Sequence, residues 1–395
     1  MRSFPLFTAK GNETLAYLDN AATTQRPRTV IEAVTRFYET ENANIHRAVY
    51  TLAHRATERF EGVRRRVARF IGAERPEEIV FTRGTTEGIN FLAQSLAQSR
   101  LSPGDEIVLS LIEHHSNLVP WLMLEERIGI SLKFVDFEPD GSIRPERVAE
   151  ALTPRTKVVS LAHVSNTLGT ILPIEAISAH VKAHGALFIV DGAQAVGHLP
   201  VDVQRLGVDF YVFSGHKMYG PTGVGCVYGR MECLETLSPV FGGGDMIRTV
   251  STDAVTYNDI PYRFEAGTPP IAQVVGLGAA IDFIESVGFA DIAEHERTLL
   301  ADLEGMLADL GFVELYGTTR EKTGIVSFNV AGVHPHDVGT IADRFDVCIR
   351  TGHHCTQPLM ERLGVPATCR ASLGIYNRPA DIERLRSALV EAHDL

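Results

Sequence analysis

The stretch D-F-Y-V-F-S-G-H-K-M-Y-G-P, from Asp209 to Pro221, changes character at its midpoint. Phe210 to Phe213 form an apolar, β-branched and aromatic run, the pattern of a buried strand. The run stops at Ser214-Gly215-His216-Lys217, and Gly220-Pro221 turns the chain. A lysine at the carboxyl end of a buried strand stands where open α/β sheets place their ligands. Desolvation there disfavours the ammonium form and prepares the amine for Schiff-base chemistry. Ser214 and His216 flank it with a hydroxyl and an imidazole, donors suited to a phosphate. Read alone, Lys217 is equally well a solvated loop lysine.

The neighbouring run breaks that tie. Ala186-Leu187-Phe188-Ile189-Val190 is a second buried-strand pattern, and it ends in Asp191-Gly192-Ala193-Gln194. Two strands thus end in an aspartate and a lysine. A pyridoxal phosphate (PLP) site needs both: a lysine for the Schiff base and a carboxylate to keep the pyridine nitrogen protonated. An aspartate after a strand is also a common helix cap, so the pairing of the two stretches carries the inference.

Further strand patterns follow in both directions. Glu78 to Phe81 leads into Arg83-Gly84-Thr85-Thr86-Glu87-Gly88 and then a helix. A strand, a Gly-Thr-Thr turn and a helix N-terminus suit a phosphate, although a threonine-capped helix reads the same way. Glu106 to Leu109 leads to Glu113-His114-His115-Ser116-Asn117, where a histidine can stack on a ring, carry a proton or cap a turn. Leu132 to Val135, Lys157 to Leu161 (ahead of Ser165-Asn166) and Gly223 to Tyr228 bring the strand candidates to seven. Helical stretches separate most of them, so the expected fold is a mainly parallel seven-stranded sheet covered by helices. One helix is expected after Pro27. Another, through Phe60, Val63, Val67 and Phe70, is expected to end at Gly72. The glycine-rich stretch Phe241 to Asp245 lacks the spacing of a dinucleotide fingerprint or P-loop.

Composition changes after Glu265-Ala266-Gly267-Thr268-Pro269-Pro270. A helix with Leu299, Leu303, Met306 and Leu310 in step, strands at Ile325 to Val330 and Val347 to Ile349, and a last helix after Pro379 read as a smaller α+β unit. The expected division is 18–281 for the large unit, and 1–17 with 282–395 for the small one. A chain of 395 residues fits two such units. With 45% hydrophobic and 22% charged residues it reads as globular. A net charge of -12 argues against binding nucleic acid or an anionic membrane through bulk charge. Met1 to Leu6 is too short and polar for a signal peptide, and no apolar run reaches spanning length. Five scattered cysteines point away from a disulfide framework and towards a reducing, cytoplasmic setting.

Arg350-Thr351-Gly352-His353-His354-Cys355 leaves three readings open. Cys355 is a small buried hydrophobe, a metal ligand with His353 and His354, or a reactive thiol in a loop loosened by Gly352, with Arg350 and the histidines favouring the thiolate.

Taken together, these motifs resemble the cysteine desulfurases, in particular the SufS/CsdA-like group of the class-V aminotransferases. The resemblance runs from Asp19-Asn20-Ala21-Ala22-Thr23 through the stretches above to Cys369-Arg370-Ala371-Ser372, and Arg350 to Cys355 is its discriminating part. It implies a fold-type I PLP enzyme, a homodimer with its sites near the subunit interface. Lys217 would carry the cofactor, Asp191 would hold the pyridine nitrogen, Gln194 the ring oxygen, and His114 would stack on the ring. Thr85, Thr86, Ser214 and His216 would hold the phosphate, with Thr268 reaching in from the other subunit. Asn166, Arg350 and Arg370 would orient L-cysteine, Arg370 clamping its carboxylate. Lys217 would move the α-proton, His114 would carry a proton, and Cys355 would take the sulfur as a persulfide. The resemblance implies no intrinsic metal. It implies a sulfur acceptor of the SufU or SufE kind, serving iron–sulfur cluster assembly, with His336 as a zinc ligand towards a SufU-type partner. The alternatives are a selenocysteine lyase, a non-catalytic scaffold of the same fold, and a zinc protein built on His353, His354 and Cys355.

Overall fold

The computed structural model describes residues 3–395. Met1 and Arg2, read above as part of the small unit, lie outside the described residues. The central sheet has seven strands: β1 (Ile79–Thr82), β2 (Glu106–Ser110), β3 (Ser131–Val135), β4 (Thr156–Ala162), β5 (Leu187–Asp191), β6 (Phe210–Ser214) and β7 (Gly225–Gly229). Their spatial order is β1-β7-β6-β5-β4-β2-β3. Every pairing is parallel except those of β7, which runs against both β1 and β6. The other six strands therefore point one way, and their carboxyl ends share one edge of the sheet.

Most of the strands read as largely apolar runs because both faces are covered, whereas the edge strand β3 is buried only at Val135 and carries Lys133 at its centre. Alternate residues enter separate clusters. Val159, Leu161, Phe188, Val190, Tyr211 and Phe213 pack on one face, and Val158, Leu187, Ile189, Phe210 and Val212 on the other. On the first face lie α1 (Arg28–Thr40) and α2 (Thr51–Phe70), through Phe37, Phe60, Val63 and Val67. On the second lies α3 (Thr85–Ser99), through Ile89, Leu92 and Leu96. Each such side chain, once buried, contributes about 1.5–3 kcal/mol. Both α1 and α2 pack on α4 (Ile271–Val287), and position 281/282 falls within that helix.

Past Gly288 the chain builds a second core. It comprises α5 (Phe289–Asp309), an antiparallel sheet of β8 (Val313–Tyr316), β9 (Ile325–Val330), β10 (Arg350–Gly352) and β11 (Thr368–Ser372) in the order β8-β9-β11-β10, with α6 (Pro335–Asp343) and α7 (Pro379–Asp394). Leu299, Leu303, Phe328, Leu385 and Leu389 form its centre, joined by Ala16 and Leu18 from the N-terminal segment. Ala16–Tyr17 pairs in parallel with Val347–Cys348. Leu310, expected in the helical stripe, lies one residue past the end of α5, where Gly311 turns with φ +58°. Strands β8, β10 and β11, and the exposed hairpin Ile247–Val250/Val255–Tyr257, are not apparent from apolar periodicity. Among the described residues no single helix is long and apolar enough to cross a membrane.

Candidate active site

The carboxyl edge of the central sheet opens on a cavity of about 240 Å³. Thr85 and Thr86 follow β1, His114 and Ser116 follow β2, and Asn166 follows β4. Asp191 ends β5, and Ser214, His216 and Lys217 lie at and just past the end of β6. From the second core's sheet come Arg350, His354 and Cys355 on or near β10, and Arg370 on β11. Strands β2 and β4 are spatial neighbours with β3 outside β2, so the chain reverses its direction of winding here, the usual ligand crevice of an open α/β sheet.

Lys217 is partly buried, and desolvation draws its pKa down from 10.5 to about 8 against the opposing pull of Asp191. Asp191 is buried, and burial raises its pKa while Lys217 works in the other direction. One of its oxygens accepts the Ala193 N–H at 2.9 Å. Tyr211 lies under Gly192, where an added Cβ would stand 2.1 Å from the ring, and the Tyr211 hydroxyl bonds His163 Nδ1 at 2.8 Å. These groups hold the end of β5 from beneath.

One side of the cavity is built from hydroxyls and a helix start. The Thr85 N–H donates to Ser214 Oγ at 2.8 Å, and the two hydroxyls lie 2.8 Å apart. Thr86 Oγ1 and Ser116 Oγ are likewise 2.8 Å apart. Gly225 makes this approach possible, because a Cβ there would sit 2.5 Å from both Gly84 Cα and the Phe213 carbonyl oxygen. The imidazole of His216, desolvated and close to Lys217 and Arg26, has its pKa lowered to about 4. His114 accepts the Ser116 N–H through Nδ1 at 3.0 Å, which leaves the proton on Nε2. Burial, with Lys217 and His115 nearby, lowers its pKa to about 3, so the ring is neutral at physiological pH.

Strands β10 and β11 bring two arginines into register, Arg350 opposite Arg370. Asp19 bridges them, accepting from Arg350 Nη2 at 3.1 Å and Arg370 Nη2 at 3.2 Å. The Arg370 side chain is 2% exposed, donates to the Asn166 carbonyl at 2.8 Å, and keeps its buried Nε without a partner. Arg370 also lines the cavity, where a planar guanidinium matches a carboxylate from a ligand.

Cys355 lines the cavity at the tip of the turn after β10, with φ +57° next to φ +51° at His354. The turn is pinned rather than loose. Asn166 donates to the His354 carbonyl at 2.8 Å, the His115 N–H to the Cys355 carbonyl at 2.7 Å, and Thr167 meets Thr356 at 2.8 Å. The His354 ring turns inward, its Nε2 meeting Thr368 Oγ1 at 2.9 Å, and it does not belong to the donor group that holds His353 and Cys355, as the zinc reading required. The ring beside them is that of His115.

Three residues named from the sequence lie elsewhere. The buried Gln194 does not line the cavity and donates to the Ala21 carbonyl at 2.6 Å, Ala21 itself being a lining residue. Thr268 is exposed on a separate surface. His336 is exposed in the first turn of α6, its N–H donating to His334 Nδ1. Conversely, Asp19 and Ser116 enter the site without having been assigned roles. Both stood inside motifs, but short acidic and hydroxyl residues in turns look like caps until their partners are known.

The lysine, the acid near its end strand, the hydroxyls with the start of α3, and the stacking-competent neutral imidazole together fit a pyridoxal phosphate by the chemistry of their donors. The class-V aminotransferase family model matches residues 16–385. A curated cysteine desulfurase of Klebsiella pneumoniae (strain 342) is 47% identical over 99% of this chain and 97% of its own length. The crystal structure of the Escherichia coli cysteine desulfurase CsdA, with an S-sulfonic acid, superposes with a TM-score of 0.92 at 38% identity, covering 99% of this chain and 97% of that one. A C-DES variant with glycine covalently linked to its PLP cofactor gives a TM-score of 0.83 at 25% identity, covering 100% and 98%.

Proposed function

The chain belongs to the class-V aminotransferase family, and from that premise we propose that it is a PLP-dependent cysteine desulfurase. The reaction is L-cysteine plus the Cys355 thiol giving L-alanine plus a Cys355 persulfide. The observation that carries this reading is that one cavity gathers Lys217, Asp191, His114, Arg370 and Cys355. Lys217 and Asp191 would hold the cofactor at its two functional ends, His114 would stack on it, and Thr85, Thr86, Ser214 and His216 would take its phosphate. Gln194 would reach the ring oxygen. Bound there, PLP supplies an electron sink for the carbon that carries the substrate amine.

The chain's own groups do the rest. Arg370, steadied by Asn166, clamps the substrate carboxylate, with Arg350 beside it. The Lys217 amine, its pKa near 8, takes the α-proton and is able to return it. Cys355 attacks the substrate sulfur as a thiolate. The S–S bond forms as the C–S bond breaks, its electron pair stays with the carbon fragment, and that fragment takes up a proton and leaves as alanine. His114 supplies a proton from Nε2 as a neutral donor, because its imidazolium is scarcely populated at physiological pH.

The test is single-turnover and steady-state alanine and sulfide formation from L-cysteine, comparing wild type with Cys355→Ala. The variant should keep the absorbance of bound cofactor and lose sulfur transfer. Equal activity in both would remove Cys355 from the mechanism and favour a lyase-type elimination.

The proposal extends to partners. A homodimer is supported by the convergence of Arg47, Asp245, Gly267 and Pro269 around a second cavity of about 390 Å³, with Val49 92% exposed beside it in sequence and the exposed hairpin adjoining. In that dimer Thr268 of the partner subunit would complete the phosphate site. The chain would divide into a large unit (18–281) and a small one (1–17 and 282–395), act in the cytoplasm, and pass its sulfur to a SufU- or SufE-type acceptor for iron–sulfur cluster assembly. The exposure of His336 leaves it free to take a zinc ligand position on a SufU-type acceptor. His336→Ala should then slow transfer to such an acceptor while alanine formation with a small-molecule reductant is unchanged. Normal transfer would end that part of the proposal.

A further inference from the structure

His115, His353 and Cys355 form a donor cluster at the cavity mouth that the proposed reaction does not use as a unit. One ligand atom from each, the Cys355 sulfur and a nitrogen of each ring, lies within 4.8 Å of the other two. A tetrahedral zinc ion with bonds of about 2.0–2.3 Å spaces its ligand atoms roughly 3.5 Å apart, so closure takes shifts of about 1 Å. The two segments are already joined by the His115 N–H to Cys355 carbonyl bond of 2.7 Å, and the imidazole centroids are 5.6 Å apart.

Each ring presents an unprotonated nitrogen. His353 Nδ1 accepts the Cys355 N–H at 3.1 Å, and His115 Nε2 accepts the Gln357 N–H at 3.2 Å. Coordination through those nitrogens would exchange two long hydrogen bonds for two metal bonds.

The surroundings select the ion. No carboxylate belongs to the cluster, whose donors are one sulfur and two imidazole nitrogens. A hard ion such as Mg²⁺ or Ca²⁺ finds no oxygen ligands in the cluster. Thiolate and imidazole suit a borderline-soft, redox-inert ion. We infer that His115, His353 and Cys355 bind Zn²⁺ with water in the fourth position, masking the Cys355 thiol. The sulfur loses its proton to solvent as the Zn–S bond forms, and no electron is transferred. The ion is an exchangeable mask, distinct from a resident cofactor. Its effect on turnover rests on the reading of Cys355 as nucleophile, whereas its binding does not.

The experiment uses the PLP-loaded enzyme. Zn²⁺ is titrated by equilibrium dialysis, Co²⁺ by its thiolate charge-transfer and ligand-field absorption, and Cys355 accessibility by iodoacetamide labelling read by mass spectrometry. One zinc per chain is expected. With Zn²⁺ at about 100 times its Kd, labelling of Cys355 should slow on the order of a hundredfold, and a chelator should restore it. His115→Ala and His353→Ala should each weaken binding by on the order of a hundredfold, and Cys355→Ser should abolish the cobalt–thiolate band. Unchanged labelling, or zinc retained at full affinity by Cys355→Ser, would overturn the site. Protected Cys355 with undiminished alanine formation would uphold the site and overturn the role of Cys355 in the reaction.

Discussion

Arg350 and Arg370 face each other across β10 and β11, and Asp19 holds both guanidinium groups. Burial, with Arg350 opposite, lowers the pKa of Arg370 to about 10, while Asp19 sustains its charge. Replacing Arg370 by lysine keeps a cation but removes the planar fork. We expect KM for L-cysteine to rise about 10- to 100-fold, the equivalent of one charged hydrogen bond of about 1.5–3 kcal/mol. A KM within twofold of wild type would contradict the clamp. Lys217 gives a pH-dependent prediction. Its free amine is populated above about pH 8 rather than 10.5. PLP uptake by the apoprotein should therefore rise with pH and level off just above 8. Since Asp191 raises the lysine pKa, Asp191→Asn should move that midpoint down. Stopped-flow absorbance at several pH values measures both, and an upward shift would refute the assignment.

Among the elements, the contact between β7 and the start of α3 sets the side of the cavity proposed to take the phosphate. Gly225 pairs with Ser214 on one side and Thr82 on the other, and a Cβ there meets backbone, which cannot swing aside. Gly225→Ala should cost about 1–3 kcal/mol in urea unfolding and weaken cofactor retention, because the Thr85–Ser214 hydrogen bond must open. Wild-type cofactor affinity would show that α3 is positioned some other way. Legibility in the sequence also divides by element. All seven central strands could be read, most because burial on both faces writes a largely apolar run, and the edge strand β3 because Leu132, Phe134 and Val135 stand out around Lys133. Strand β11 could not, although all five of its residues are buried, because Thr368-Cys369-Arg370-Ala371-Ser372 places a charge at its centre. Its arginine is buried for the site rather than for the core. The hairpin Ile247–Val250/Val255–Tyr257 was missed for the opposite reason: it is almost wholly exposed and follows no burial pattern.

For the whole molecule, a buried pair joins the two cores. His198, in the segment after β5, meets Glu296 of α5 at 2.8 Å. Burial alone would lower the histidine pKa, but the Glu296 carboxylate outweighs it and the pKa is raised. A raised folded-state pKa means the pair stabilises fully below the unfolded histidine value of about 6.5, and that contribution is lost as pH rises through the folded value. His198→Gln should cost about 3 kcal/mol near pH 6 and less near pH 9, measured by denaturant unfolding at both. A cost that stays constant or grows with pH would refute the linkage. Local pattern alone determined the α/β class, the seven-strand sheet, and the lysine and aspartate at adjacent strand ends, because periodicity and turn chemistry act between near neighbours in the chain. Tertiary structure alone decided that Asp19 bridges two arginines more than 300 positions away, that His354 turns inward, and that His115 takes its place beside Cys355. Those are distances between segments remote in sequence, and packing around two separate cores sets them.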